Sequence, residues 1–137
     1  MHLHHIKLVQ TTFPLVNAEA QLFAMRLYNH LFGLDPSLCS LFPREMGEHN
    51  LKFMAAMAEI VNGLERPYFL IYDVLKPLGR KHASHPIQLH HYHTFAAALR
   101  LALLETLGET LGEEAETAWM EAYYLVVGII KEMNNNI

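Results

Sequence analysis

Residues 110–133 read TLGEEAETAWMEAYYLVVGIIKEM, and this stretch decides the fold class. Its apolar positions Ala115, Trp119, Tyr123, Val126 and Ile130 recur every three or four residues. That is the period of one face of an α-helix and not the strict alternation of a half-buried strand. Thr110-x-x-Glu113 at its start has the form of a capping box. Gly108 separates it from a second long helical segment, residues 87–107, which carries Tyr92, Phe95, Leu99 and Leu103. Two long helices joined by so short a break are expected to pack as an antiparallel pair.

The same period runs back towards the N-terminus. A first helix is expected over residues 6–16, with Pro14 near its end. A second covers 18–32, with Phe23, Leu27 and Leu31 on one stripe and Gly33 as its stop. A short third begins at Asp35-Pro36, a cap followed by proline at the first helical position, and ends near Phe42. A fourth covers 48–64, with the stripe His49, Phe53, Met57, Ile60 and Leu64. A fifth starts after Pro67 and carries Leu75, Leu78 and His82. No segment reads as a strand, so the expectation is an all-α domain.

The chain has 137 residues, 52% hydrophobic and 18% charged. That is enough apolar material for one core and too little length for two ordinary domains, so residues 1–137 are expected to form a single domain. The formal net charge is -4 with no cluster of Lys or Arg, which disfavours nucleic acid as a partner. The longest apolar run, Tyr123 to Ile130, is far short of the roughly 20 residues that span a bilayer, so no membrane insertion is expected. Met1-His2-Leu3-His4-His5 lacks the features of a signal peptide. The single cysteine, Cys39, fits a reducing compartment. A cytoplasmic location follows as an expectation.

Ten histidines are many for this length. Two stand out by position. His82 follows Leu78 by four residues and Leu75 by seven, on the buried stripe of its helix, and His49 opens the stripe of the fourth helix. Two imidazoles facing an apolar interior from different helices suit a flat metal-bearing cofactor, which needs an axial nitrogen on one side and a controlled pocket on the other. A lone histidine on such a stripe is nevertheless more often a satisfied core residue. The cluster His90-His91-Tyr92-His93 invites a zinc or copper reading. Adjacent helical positions point different ways, however, so surface histidines are expected there. His2, His4 and His5 are assigned no function. Tyr28 alone reads as a core or rim tyrosine, Phe42 as packing, and Trp119 as core. Cys39 has no activating partner, and no phosphate loop, nucleophile elbow or dinucleotide fingerprint occurs.

Taken together, several fragments resemble the bacterial globins of flavohaemoglobin type, including the standalone single-domain globins. They are Leu27-Tyr28-Asn29-His30-Leu31-Phe32, Asp35-Pro36 through Leu41-Phe42, Leu78-Gly79-Arg80-Lys81-His82, His91-Tyr92, and Ala118-Trp119 with Ala122-Tyr123. Their order and spacing cover nearly the whole chain. The resemblance implies a globin-like fold of about six to eight helices around one haem b. It makes His82 the proximal iron ligand and Phe42 the phenylalanine against the porphyrin. Tyr28 becomes the distal tyrosine that hydrogen-bonds bound ligand. His49 falls at the distal position of the fourth helix, and Phe53 one turn later, where leucine is usual. Tyr92 lies near the proximal histidine, and Leu78, Ile87 and Phe95 complete the cofactor-binding set.

There are departures from the pattern. The glutamate that joins the tyrosine and proximal histidine in flavohaemoglobins falls, by an ungapped count from Trp119, at Asn134, with Glu132 two residues away. The segment 65–72 is one residue longer than in some members. The implied function is reversible binding of oxygen, nitric oxide and carbon monoxide. Nitric oxide dioxygenation is implied too, with an external reductase because the length leaves no room for a flavin domain. Two other classes stay open: a redox or gas-sensing globin in which His49 itself coordinates iron, and a haem-free helical interaction domain.

Overall fold

The computed structural model describes residues 1–78 and 89–135, with the side chains of 1–78 and 90–133. His82 and Ile87 lie outside the described residues. Among those described there is no strand, as expected, and no helix long and apolar enough to cross a membrane.

Helix α1 (Leu3–Asn17) opens on His2, whose ring accepts a hydrogen bond from the His4 backbone N–H at 3.1 Å. It buries Ile6, Val9, Phe13 and Val16 and runs past Pro14. Proline removes one N–H from the helix, but Pro14 is exposed, so water can serve the orphaned carbonyl. Helix α2 (Ala20–Leu34) buries the expected stripe Phe23, Leu27 and Leu31 almost completely. It does not stop at Gly33. It ends one residue later because Pro36 forces Asp35 into an extended conformation, with φ -143 and ψ 90. The same Asp35 then caps the 3₁₀ turn Pro36–Leu41 by accepting from the Ser37 N–H at 3.1 Å.

Helix α3 (Gly47–Gly63) buries Asn50, Met54 and Val61 most deeply. The expected stripe His49, Phe53, Met57 and Ile60 lies one residue aside and is half-buried. A helix enclosed by others hides a broad arc, so both lines face inward and periodicity alone does not rank them. At the end of α3 a Cβ on Gly63 would stand 3.2 Å from Leu70 Cδ1, so glycine lets the next segment close in. That segment is a π-helical stretch, Phe69–Leu75, with Leu70, Val74 and Leu75 buried. A π turn takes up an additional residue in a helical path.

Helix α4 (Leu89–Leu107) and helix α5 (Gly112–Asn135) are joined by the 3₁₀ turn Gly108–Thr110. Gly108 (φ 54) and Gly112 (φ 70) occupy the left-handed region that side-chain-bearing residues avoid. Thr110 therefore belongs to the turn, and α5 starts at Gly112, later than the capping-box pattern predicts. The last two helices touch, but they are not each other's main partner. α2 makes its largest contact with α4, and α1 with α5. Ala98 and Ala102 on α4 are fully buried, and such small side chains let α2 approach closely. On α1, His4 and His5 pair with Glu114 (3.0 Å) and Glu121 (2.8 Å) of α5. Trp119 is core as expected, and its indole N–H donates to Thr12 Oγ1 at 2.8 Å.

Candidate functional site

Tyr28 follows Leu27 on α2, and a turn of about 100° per residue points it away from the Phe23–Leu31 stripe towards α3 and the 3₁₀ turn. It is buried, at 6% exposure. Its hydroxyl oxygen lies 2.9 Å from His49 Nε2, and the imidazole tautomer decides which of the two donates. The Tyr28 ring has four aromatic neighbours. Centroid distances are 5.3 Å to Phe42, 5.1 Å to His49, 5.4 Å to Phe53 and 5.9 Å to Phe32. Phe42 leaves the 3₁₀ turn in extended conformation and also meets Phe32 (5.4 Å) and His49 (5.3 Å). Most of these contacts are edge-on, the arrangement the ring quadrupoles prefer.

Phe53 continues the cluster to Phe95 on α4 at 6.0 Å, and Phe95 stacks on Tyr123 of α5 at 5.7 Å. The Tyr123 hydroxyl donates to the Tyr92 carbonyl at 2.6 Å. The Lys131 ammonium lies 5.0 Å from the centroid of the Tyr92 ring. Among the described residues the charge found over the Tyr92 ring is positive, a cation held by the ring face. Burial pushes the phenols of Tyr28 and Tyr123 far above their ordinary value, and raises that of Tyr92 as well. All three stay neutral donors through the physiological range.

Tyr28, His49, Phe42, Phe53 and Phe95 thus stand together, and Tyr92 joins them through Tyr123. Leu78 is half-buried beside Val74 and Pro77 in a shallow cleft with Ala56 and Glu59. Sequence reasoning assigned no site role to Phe32, Tyr123 or Asn50. Phe32 carries a signal in hindsight, four residues after Tyr28 on the same helical face. Asn50 carries none, because a polar residue beside His49 reads as solvent-facing. It is buried, and among the described residues its Oδ1 has no hydrogen-bond partner.

Phe42, Phe53, Phe95, Tyr92 and Tyr123 are only half-buried, although they pack against the core. Apolar rings with exposed area, beside one polar pair, fit a flat apolar macrocycle with a reactive centre: walls for the ring and hydrogen-bonding groups for what binds at the metal.

The second histidine cluster departs from expectation in part. His93 is exposed and its ring turns to the Tyr124 hydroxyl at 3.2 Å. His90 is also exposed, but His91 is half-buried and the two rings lie 4.2 Å apart.

Residues 25–130 match the Globin family model, which is more than half of the chain. The chain is similar to the flavohemoprotein of Xylella fastidiosa (strain Temecula1), 26% identical over 132 residues that make 94% of this chain and 33% of the relative. It is 25% identical over 134 residues to the flavohemoprotein of Bacillus subtilis, covering 93% of this chain and 34% of the relative. The flavohemoprotein of Bacillus cereus is 29% identical over 127 residues, 88% of this chain and 30% of the relative. The chain spans about a third of the length of these relatives.

Proposed function

Because this chain belongs to the globin family, we propose that its 137 residues act as one globin domain that holds haem b and binds diatomic gases. The observation that carries the reading is the 2.9 Å contact between Tyr28 and His49 inside an aromatic cluster. When bound, the haem supplies an iron that takes oxygen, nitric oxide or carbon monoxide and passes partial negative charge to the ligand. His82 is the residue we assign to the iron on the proximal side. Phe42, Phe53 and Phe95 are the apolar walls, with Leu78, Ile87 and Tyr92 assigned to the proximal surroundings. Tyr28 keeps its proton, because burial opposes the phenolate, and so offers a donor to a ligand that carries negative charge. His49 positions that hydroxyl. The apolar rings exclude water, which strengthens each hydrogen bond inside.

The resemblance to globins of flavohaemoglobin type implies a finer reading, which we include in the proposal: conversion of nitric oxide and oxygen to nitrate, with one electron per turnover from an external reductase. The exposed, unpaired Cys39 fits a reducing cytoplasm for that work. The test is the visible spectrum of the haem-loaded chain in ferric, ferrous, oxygen-bound and carbon-monoxide-bound states, with His82→Ala beside it. We expect reversible oxygen and carbon monoxide spectra in the wild type, and lost or loosely held haem in the variant. Unchanged proximal nitrogen ligation in His82→Ala by resonance Raman refutes the ligand assignment. No Soret band after expression with ample haem refutes the function.

A further inference from the structure

Away from the Tyr28 cluster, Asp35 at the end of α2 meets His90 and His91 in the first turn of α4. One ligand atom from each of the three lies within 4.8 Å of the other two. Asp35 Oδ2 is 4.0 Å from His91 Nε2, and the two imidazole centroids are 4.2 Å apart at an interplanar angle of 57°. We propose that Asp35, His90 and His91 form a binding site for a borderline divalent transition-metal cation, Zn²⁺ in the first instance.

The donor set is two imidazole nitrogens and one carboxylate oxygen. Nitrogen donors select zinc, copper and nickel over magnesium and calcium, which take oxygen ligands. With metal–ligand bonds of about 2.0–2.2 Å, ligand atoms around a tetrahedral ion stand roughly 3.3 Å apart. The present separations, 4.0 Å for Asp35–His91 and at most 4.8 Å within the set, would have to shorten by up to roughly 1.5 Å on metal binding. Neighbouring histidines on a helix do diverge at Cβ, but an imidazole is long enough for the two rings to turn back together here.

The carboxylate is also held in place. Asp35 Oδ1 accepts from the Ser37 N–H (3.1 Å) and the Ser37 hydroxyl (2.5 Å), while Oδ2 is the oxygen nearer His91. A ligand oriented by such outer hydrogen bonds loses less freedom on binding metal. The side chains of Asp35 and His91 are 22% and 14% exposed, whereas His90 is exposed. An ion bound there would keep an open side for water. It would join the α2 end, next to Phe32 and ahead of Phe42, to the start of α4, next to Tyr92. None of its three ligands belongs to the proposed haem site, so the two readings stand or fall separately.

The test is calorimetric titration of the full chain as purified, whether or not it carries haem, with ZnCl₂ and, separately, MgCl₂. The rival is the N-terminal set His2, His4 and His5, which stands near Glu114 and Glu121. We expect one Zn²⁺ site that His4→Gln/His5→Gln leaves in place. His90→Gln/His91→Gln should weaken it on the order of a hundredfold or more, and Mg²⁺ should give no comparable binding. His90 is exposed and His91 half-buried in the first turn of α4, and circular dichroism checks that the fold persists. Asp35→Asn provides a second variant and should weaken Zn²⁺ binding about tenfold, since an amide replaces the anionic ligand. The proposal is overturned if Zn²⁺ does not bind, if the titration survives His90→Gln/His91→Gln, if only His4→Gln/His5→Gln removes it, or if Mg²⁺ binds as tightly.

Discussion

Replacing Tyr28 by phenylalanine removes one oxygen and nothing else from the centre of the aromatic cluster. The ring contacts to Phe32, Phe42, Phe53 and His49 remain available. The fold should lose about 0.5–1 kcal/mol, the lower part of the range for a neutral hydrogen bond, because half-buried His49 can turn to water. The effect on ligand release depends on the direction of the proton in the Tyr28–His49 contact. If His49 Nε2–H donates to the tyrosine oxygen, the phenolic hydrogen can go to the ligand at no cost. The full value of a hydrogen bond to a charged group, about 1.5–3 kcal/mol, is then lost in Tyr28→Phe, and oxygen leaves roughly ten- to a hundredfold faster. If instead Tyr28 donates to His49, the donor must give up that bond to serve the ligand. The net loss falls to about 1–2 kcal/mol, or roughly five- to thirtyfold.

His49→Leu separates the two cases. In the first it removes a polarising partner and speeds oxygen release. In the second it removes a competing acceptor and slows release. The assay is stopped-flow release of oxygen and of carbon monoxide from the ferrous protein in wild type, both single variants and the double variant. Carbon monoxide is less polar when bound and should respond less to Tyr28→Phe. Equal changes for both gases would show that Tyr28 acts by filling space, and the hydrogen-bond argument would fail. A six-coordinate ferrous wild type that turns five-coordinate in His49→Leu would move His49 onto the iron and the protein into the redox or sensor class.

Two further outcomes follow from the same geometry. Tyr28 and Tyr123 have folded-state values raised by burial above the ordinary 10.0, so the folded state holds protons that the unfolded chain releases. Their contribution is complete below pH 10 and is lost as pH rises above it, at about 1.4 kcal/mol per pH unit for each tyrosine; urea midpoints between pH 9 and 12 should fall steeply in wild type and less so in Tyr28→Phe/Tyr123→Phe, and parallel curves would contradict this. Thr12→Val takes the acceptor from the buried Trp119 N–H and should cost about 1–3 kcal/mol in chemical denaturation, whereas a loss below about 0.5 kcal/mol would mean that water replaces the hydroxyl.

Much of this was legible in the sequence where a single physical cause acts locally. The stripe of α2 is nearly dry because Phe23, Leu27 and Leu31 have no other face to serve. Asp35-Pro36 starts a helical turn because proline fixes its own φ and an aspartate oxygen reaches the second N–H along. The same dipeptide, and not Gly33, ends α2, since a proline forbids what a glycine only permits. Tertiary choices were less legible. Which of two adjacent lines on α3 lies deepest depends on what packs on both sides, and the pairing of α2 with α4 depends on alanines that carry no hydrophobic signal of their own. The helical angle separates the Cβ atoms of His90 and His91, so the sequence pattern points them apart; the length of the imidazole lets the rings lie 4.2 Å from each other, and Asp35 beside them is far away in sequence.

The electrostatics of the two sides of the cluster bear on which part of the proposed function dominates. On the Tyr28 side a neutral phenol, kept protonated by burial, favours a ligand that has gained negative charge. On the Tyr92 side the nearby charge is the Lys131 cation at 5.0 Å. A glutamate there would press electron density towards the proximal ligand and help break an oxygen–oxygen bond. A cation over the ring works the other way, by making the neighbourhood less electron-rich, while burial keeps the Tyr92 phenol above its ordinary value. Strong retention of ligand serves either activity, and slow release is poor for delivery, so it is the weak electron donation alone that favours holding oxygen over turning it over. On that ground we rank gas binding above nitric oxide dioxygenation within the proposal. Lys131→Glu, which exchanges the cation beside Tyr92 for a carboxylate, should raise the rate of nitric oxide consumption by the oxygen-bound protein in stopped-flow mixing, and an unchanged rate would refute this ranking.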